Sequence, residues 1–122
     1  QIRSSIMKQE AFTMSLLFDT YGALLTEKQQ TYFDLYYNQD LSLAEIAEQE
    51  GISRQGVHDA ISRSEALLAS FERVTGCVAR EQKLRHALAA ITAEAQPLLQ
   101  AGDPATRQGA QRILAAVDSL KE

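Results

Sequence analysis

The residues with the most chemistry to offer lie between Ser53 and Arg63, in the run Ser-Arg-Gln-Gly-Val-His-Asp-Ala-Ile-Ser-Arg. Coiled into a helix, this run places Val57 and Ile61 on one side and turns Arg54, Gln55, His58, Asp59, Ser62 and Arg63 outward. Side chains of these types read or grip nucleic acid. Arginine pairs bidentately with guanine and glutamine with adenine, a carboxylate accepts from the cytosine amino group, and serine serves either way. Ser53 is an N-cap residue, and the helix it starts offers free backbone N–H groups and a positive dipole end to a phosphate. Gly56 has no side chain, so either a nucleic-acid backbone or a neighbouring helix can approach closely there. The same residues also have plainer roles: Arg54 and Arg63 as solvated charges, His58 as a surface imidazole, Asp59 as a repeller of phosphate.

For that run to act as a unit, a second helix must hold it at a fixed angle. The preceding residues, Leu43 to Ile52, meet the requirements. Ala47 is small enough for two backbones to approach, Gly51 permits a tight turn, and Ile46, Ile52, Val57 and Ile61 stand where they can pin one helix to the other. Each requirement is common alone, but their joint occurrence at fixed offsets predicts a helix-turn-helix over residues 42–64. In that motif the second helix enters the major groove, with its N-terminal residues facing base edges.

The flanking sequence predicts more helices. Phe12, Leu16, Leu17, Tyr21 and Leu24 recur at helical spacing from Ala11 to Leu24. Thr26, with Gln29 three residues on, reads as a capping box for a helix to Tyr37. Ser42 and Glu45 repeat that arrangement before a short helix to Gln49. The helix opened by Ser53 presents Val57, Ile61, Leu67, Leu68 and Phe71 as its buried side. Beyond it the pattern shifts register before Leu84, Leu88, Ile91, Ala95 and Leu98, so either two helices meet near Gly76 or one long helix breaks there. Pro97 ends or bends that segment, and Asp103 with Pro104 starts a last helix carrying Ile113, Leu114, Val117 and Leu120. The aromatic group Tyr32, Phe33, Tyr36 and Tyr37 reads as core, with a base-stacking platform as the alternative.

Composition agrees and sets limits. The chain has 122 residues, 45% of them hydrophobic, with no Trp and only two Pro, which favours an all-α protein. We expect residues 1–10 to stand outside the fold as disordered or added sequence, with Gln1 to Ile6 ahead of a start at Met7. Residues 11–71 form the helix-turn-helix domain, and 72–122 a helical extension for packing and dimerisation. Apolar stretches are too short to cross a bilayer and no leader pattern is seen, so the expected location is cytoplasmic, with no membrane partner. Cys77 is the single cysteine, expected as a small apolar filler, and His58 and His86 have no second ligand at metal spacing. With no P-loop, nucleophile elbow or carboxylate pair, we expect neither an enzyme nor a cofactor.

The net charge of −4 opposes binding by bulk electrostatics. Charge is uneven, however. Residues 26–52 are acidic, whereas 53–86 carry Arg54, Arg63, Arg73, Arg80, Lys83 and Arg85 against Asp59, Glu65, Glu72 and Glu81. Screening acts over roughly 8 Å at physiological salt, so the local face decides.

From Leu25-Thr26-Glu27-Lys28-Gln29-Gln30 through Leu43–Ile46 to Ser53–Val57, the chain resembles region 4 of sigma factors, the module that reads promoter −35 DNA. The wider run to Leu68 is still more similar to the bacterial YlxM family, in Leu24-Leu25-Thr26-Glu27-Lys28-Gln29, Tyr36-Tyr37, Ser42-Leu43, Glu45-Ile46-Ala47 and Ser53-Arg54-Gln55-Gly56-Val57. The resemblance implies a sigma-region-4-like helical bundle, to which the apolar pattern past Phe71 adds C-terminal helices. It also implies a regulatory role in the signal recognition particle pathway, with the particle's small RNA or its GTPase as partners. The chain has no room for the polymerase-binding region 2 of sigma factors, which argues against a stand-alone sigma factor.

Two functions follow as expectations. One is a DNA- or RNA-binding regulator acting through Ser53, Arg54, Gln55, Gly56, His58, Asp59, Ser62 and Arg63, as a homodimer joined by its C-terminal helices. The other is a protein-interaction module that keeps the fold and docks on a protein partner, the particle's GTPase or RNA polymerase, through the acidic face around Asp34, Asp40, Glu45 and Glu48.

Overall fold

In a computed structural model, which describes residues 2–121 with side chains from residue 10 onward, the chain is helical throughout. The elements run α1 (Ile2–Tyr21), a 3-10 turn (Gly22–Leu24), α2 (Glu27–Tyr37), α3 (Leu43–Glu50), α4 (Arg54–Thr75), α5 (Cys77–Ala95), a second 3-10 turn (Gln96–Gln100) and α6 (Pro104–Lys121). No strand occurs among the described residues, in keeping with the all-α reading.

Local chemistry sets the helix ends. Thr26 and Ser42 each accept a hydrogen bond from the backbone N–H three residues on, while Gln29 and Glu45 reach back to the cap's own N–H. Both predicted capping boxes are thus formed. Gly51 closes α3 at φ +70°, the left-handed conformation that a Cβ would strain. Gly76 does the same for α4 at φ +63°, so of the two readings left open near Gly76, two helices meeting there is the observed one. Pro97 falls in the turn that ends α5, and the Asp103 carboxylate accepts from the Ala105 N–H and the Thr106 hydroxyl at the start of α6.

The chain divides into two compact units, residues 1–78 and 79–122. The boundary therefore falls after Val78 rather than after Phe71, because α4 continues to Thr75 and Val78 still packs against the first unit's core. The backbone of α1 runs back to Ile2 instead of starting at Ala11. The expectation that residues 1–10 stand apart lies, for their side chains up to residue 9, outside the described residues.

In the first unit, two clusters make the core. Tyr32, Leu35, Ile46, Ala47, Val57 and Ile61 join α2, α3 and α4, and Leu17, Tyr21, Leu25, Phe33 and Leu68 join α1, α2 and α4. The buried row of α4 is Val57, Ile61, Ser64 and Leu68, a helical stripe with a polar residue in it. Ser64 is fully buried and donates to the Ala60 carbonyl at 2.9 Å, so its hydroxyl is satisfied within the helix. Two tyrosine–carboxylate pairs brace α4 from behind: Tyr21 donates to Glu72 at 2.6 Å, and Tyr37 donates to Glu65. Burial, reinforced by the neighbouring glutamate, raises the pKa of each phenol.

Several expected core residues are not core. Phe12, Leu24, Ile52 and Leu67 are exposed, because each lies just off the stripe that its helix or turn buries. Cys77 is an exposed first residue of α5 rather than a filler.

In the second unit, α6 packs on the second 3-10 turn, and Arg107 clamps the loop between them through the Ala101 and Gly102 carbonyls at 2.6 and 3.0 Å. The buried hydrophobic side chains are Leu88, Ala95, Ala110 and Val117.

Candidate nucleic-acid interface

The second helix of the motif is built to be stiff where it begins. Ser53 Oγ accepts from the Gly56 N–H at 3.0 Å, and the Ser53 carbonyl accepts from the Val57 N–H. The underside of α4 is locked to α3 by Ile46 and Val57, both fully buried, with Ala47 at the close approach. A Cβ at position 56 would meet Ser53 Oγ at 3.1 Å, tighter than ordinary contact. Gly56 thus serves the cap; the structure offers this in-chain reason for it beside any close approach of a ligand.

The N-terminus of α4 differs from those of the two helices before it. Helices α2 and α3 carry an acid in their first turn, Glu27 and Glu45, which complements the helix dipole. Helix α4 has none, and begins instead with Arg54. With Gly56 at the third helical position, no side chain there can reach back as Gln29 and Glu45 do. The positive dipole end of α4 therefore has no acidic side chain of its own first turn beside it.

Arg54, Gln55, His58, Asp59, Ser62 and Arg63 are all exposed, so the structure brings the sequence-predicted residues onto one free surface. Ser53 is exposed at the helix start, and Gly56 is half-buried beneath it. The surface is not uniformly cationic. Asp59 sits in the middle of the outward ridge, and its Oδ1 accepts from Gln55 Nε2 at 2.9 Å and faces His58 Nδ1 at 3.5 Å. Those hydrogen bonds, from Gln55 first and His58 next, with the nearby Arg63 charge, hold the Asp59 carboxyl below the usual carboxylate range. It is therefore an anion at neutral pH, with the Arg63 charge nearby. Sequence reasoning counted Asp59 as a separate contact and missed that it organises its neighbours. The signal was present, since a Gln–Asp pair four apart on a helix meets on one face.

The aromatic group is not a stacking platform. Tyr32 and Phe33 are buried, and Phe33 stacks between Phe18 and Tyr37 at centroid distances of 4.6 and 4.4 Å. Tyr36 alone of the group is exposed; it meets Tyr37 edge-on and lines a groove of about 480 Å³ with Glu10, Asp40, Leu41 and Glu45. That groove gathers part of the acidic face expected from the sequence. Asp40 takes a left-handed φ of +57° at its edge, a conformation aspartate tolerates better than most residues. No described helix is long and apolar enough to cross a membrane.

Comparison with known proteins agrees with this geometry. Residues 8–101 match the family described as "Putative helix-turn-helix protein, YlxM / p13 like" (UPF0122). A UPF0122 protein of Symbiobacterium thermophilum is 46% identical over 104 residues, covering 85% of this chain and 91% of the relative. One from Halalkalibacterium halodurans is 40% identical over 116 residues, covering 94% of this chain and 100% of the relative. Identity to a Clostridium kluyveri member rises to 58% over 64 residues, covering 52% of this chain and 58% of that protein. The helix-turn-helix observed at α3 and α4, and a match spanning most of the chain, lead to one conclusion: the chain belongs to the YlxM/p13-like helix-turn-helix family, UPF0122.

Proposed function

We propose that this protein is a non-enzymatic regulator that binds nucleic acid through the N-terminal half of α4. The observation that carries the reading is the free outer surface of a rigidly held helix, bearing Arg54, Gln55, His58, Ser62 and Arg63, whose first turn has no acid to occupy the dipole. Duplex DNA is the ligand favoured by shape. The B-form major groove admits an α-helix, whereas the A-form major groove of RNA is too deep and narrow for side chains to read.

A helix-turn-helix commonly works in pairs on two half-sites. We propose a homodimer formed through the C-terminal helices. Leu84, Ile91 and Leu98 recur every seventh residue and remain 45%, 43% and 42% exposed, and Ile113 and Leu120 on α6 repeat the same interval. The resemblance to YlxM proteins, taken alone, suggests the signal recognition particle pathway as the setting and a cytoplasmic location. The particle's small RNA is then the RNA to try.

The test is binding of fluorescent genomic duplexes across a salt series. Affinity is expected to fall steeply as salt rises, because phosphate contacts release counterions. Arg54→Ala and Arg63→Ala should each weaken binding to all sequences and reduce the salt slope by about one. Affinity unchanged between low and moderate salt, or a double arginine variant that binds as well as the parent, sinks the reading.

A second reading is favoured by the groove beside Tyr36. Its carboxylates at Glu10, Asp40 and Glu45, next to an exposed aromatic ring, suit a basic segment of a protein partner such as the particle's GTPase. It predicts a complex lost in Asp40→Lys and indifferent to Arg54→Ala.

A further inference from the structure

Asp59 is an odd residue to find at the centre of a surface meant for a polyanion. It is 56% exposed, shares the outward ridge of α4 with Gln55 and Ser62, and is ionised at neutral pH. A phosphate brought against it would be repelled, although the exposed Arg54 and Arg63, five residues before it and four after it, attract one. The carboxylate does not simply point into solvent. Its Oδ1 holds one amide hydrogen of Gln55 at 2.9 Å and faces the His58 ring at 3.5 Å.

The consequence for hydrogen bonding can be counted. A glutamine amide has two donors and a carbonyl oxygen. With one donor committed to Asp59, Gln55 keeps its Oε1 as an acceptor and one N–H as a donor, in an orientation set by the carboxylate. That is the acceptor–donor pair which meets the amino group and N7 of adenine. Asp59 Oδ2 adds a second acceptor, matched by the amino group of cytosine. A guanine O6 or thymine O4 in the place of that amino group would meet Gln55 Oε1 or Asp59 Oδ2 oxygen against oxygen, with only the one free N–H of Gln55 left to pair with it. The ridge is therefore polarised, with an acceptor-rich centre between cationic flanks.

We propose that Asp59 is the specificity-determining residue of α4: it positions Gln55, keeps phosphate off the centre of the ridge, and selects adenine or cytosine, whose exocyclic amino groups donate, over guanine or thymine on the strand that faces that centre. Arg54 and Arg63 grip the backbone on either side. This inference rests on the reading of α4 as a DNA-binding helix and adds what that helix selects.

The experiment is selection from a randomised duplex pool with the full chain, followed by sequencing, for the parent, Asp59→Ala, Asp59→Asn and the Arg54→Ala/Arg63→Ala double variant. Thermal melting of each variant checks the fold, which a substitution at this exposed position should leave alone. The parent should enrich adenine or cytosine at one or two positions. Asp59→Ala removes both charge and positioning; it should bind the unselected pool several-fold more tightly while the site-to-pool ratio drops about tenfold, the scale of one good base contact. Asp59→Asn keeps an acceptor for Gln55 and loses the charge. It should gain pool affinity yet retain the adenine preference. If both variants tighten binding to every sequence equally and leave the enriched motif unchanged, Asp59 is only a charge and the inference is overturned, while arginine-dependent binding still upholds the DNA reading. If neither parent nor variants retain any duplex at low salt, both fall.

Discussion

The first unit, residues 1–78, and the second, residues 79–122, use helix-forming sequence in different ways. In the first, Phe33, Ile46, Val57 and Leu68 are buried to completion and come from three different helices, with a tyrosine–glutamate pair tying each of α1 and α2 to α4. The second buries Leu88 and Val117, but its other buried hydrophobic positions are Ala95 and Ala110, which contribute little transfer free energy. Its larger apolar side chains at Leu84, Ile91, Leu98, Ile113 and Leu120 stay partly in water. A recognition helix needs a rigid base, and a surface that meets another molecule needs exposed apolar area. Under the proposed function, the two units divide these requirements.

Five substitutions would break or sharpen that contrast. The largest effect is expected from Phe33→Ala, which empties a site stacked on both sides and should remove about 3–5 kcal/mol in chemical denaturation. Leu88→Ala in the second unit should remove less, about 2 kcal/mol, because its surroundings are less completely closed. Equal losses would mean that the second unit is as well packed as the first.

Next comes Ile91→Glu. A charge on the half-exposed seven-residue row should weaken self-association about a hundred-fold, roughly 3 kcal/mol, with helix content intact. Sedimentation at micromolar concentration reads the outcome. A parent that is already monomeric there removes the dimer from the proposal and leaves the exposed row without a role.

Tyr37→Phe tests the bracing of α4. The loss of the donor to Glu65 should cost about 1–2 kcal/mol at neutral pH. An unfolded tyrosine ionises near pH 10, and the folded values for Tyr37 and Tyr21 are raised above this. Their stabilisation is thus complete below about pH 10 and is lost as pH climbs through the folded values, since ionised phenols cannot donate and would face glutamates. Melting temperature followed from pH 8 upward should fall, and fall less in the phenylalanine variant.

The smallest effect is expected from Ser53→Ala, about 1 kcal/mol from the lost cap. It should weaken DNA binding more than the stability change suggests, because the frayed turn is the one that carries Arg54 and Gln55.

Much of the fold was legible in advance. Caps, glycine turns and apolar periodicity are local features, fixed by residues within a few positions of each other. Thr26, Ser42, Gly51, Ser53 and Gly76 therefore appear in the structure with the roles their neighbours imply. The candidate site was legible to the same extent, as a set of residues that one helix turns outward. Which apolar residues are buried was less so. Phe12, Leu24 and Ile52 have the right type and the approximate spacing, yet no opposing helix covers them. Ser64 has the wrong type, and the row it occupies meets the rest of the bundle anyway.

The sequence by itself determined the caps that open α2, α3, α4 and α6 and the glycine that closes α3, that a helix-turn-helix lies at residues 42–64, and which side of its second helix faces outward. Helix spacing and capping act over three or four residues, so no distant contact is needed to set them. Only the tertiary structure decided that Glu65 and Glu72 hold tyrosines, that Tyr32 and Phe33 are structural rather than free to stack on bases, and that the unit boundary falls after Val78. Those outcomes depend on residues brought together from 28 to 51 positions apart along the chain. The orientation of Gln55 belongs between the two. Its partner is only one turn away, but it took a rotamer, not a spacing, to join them.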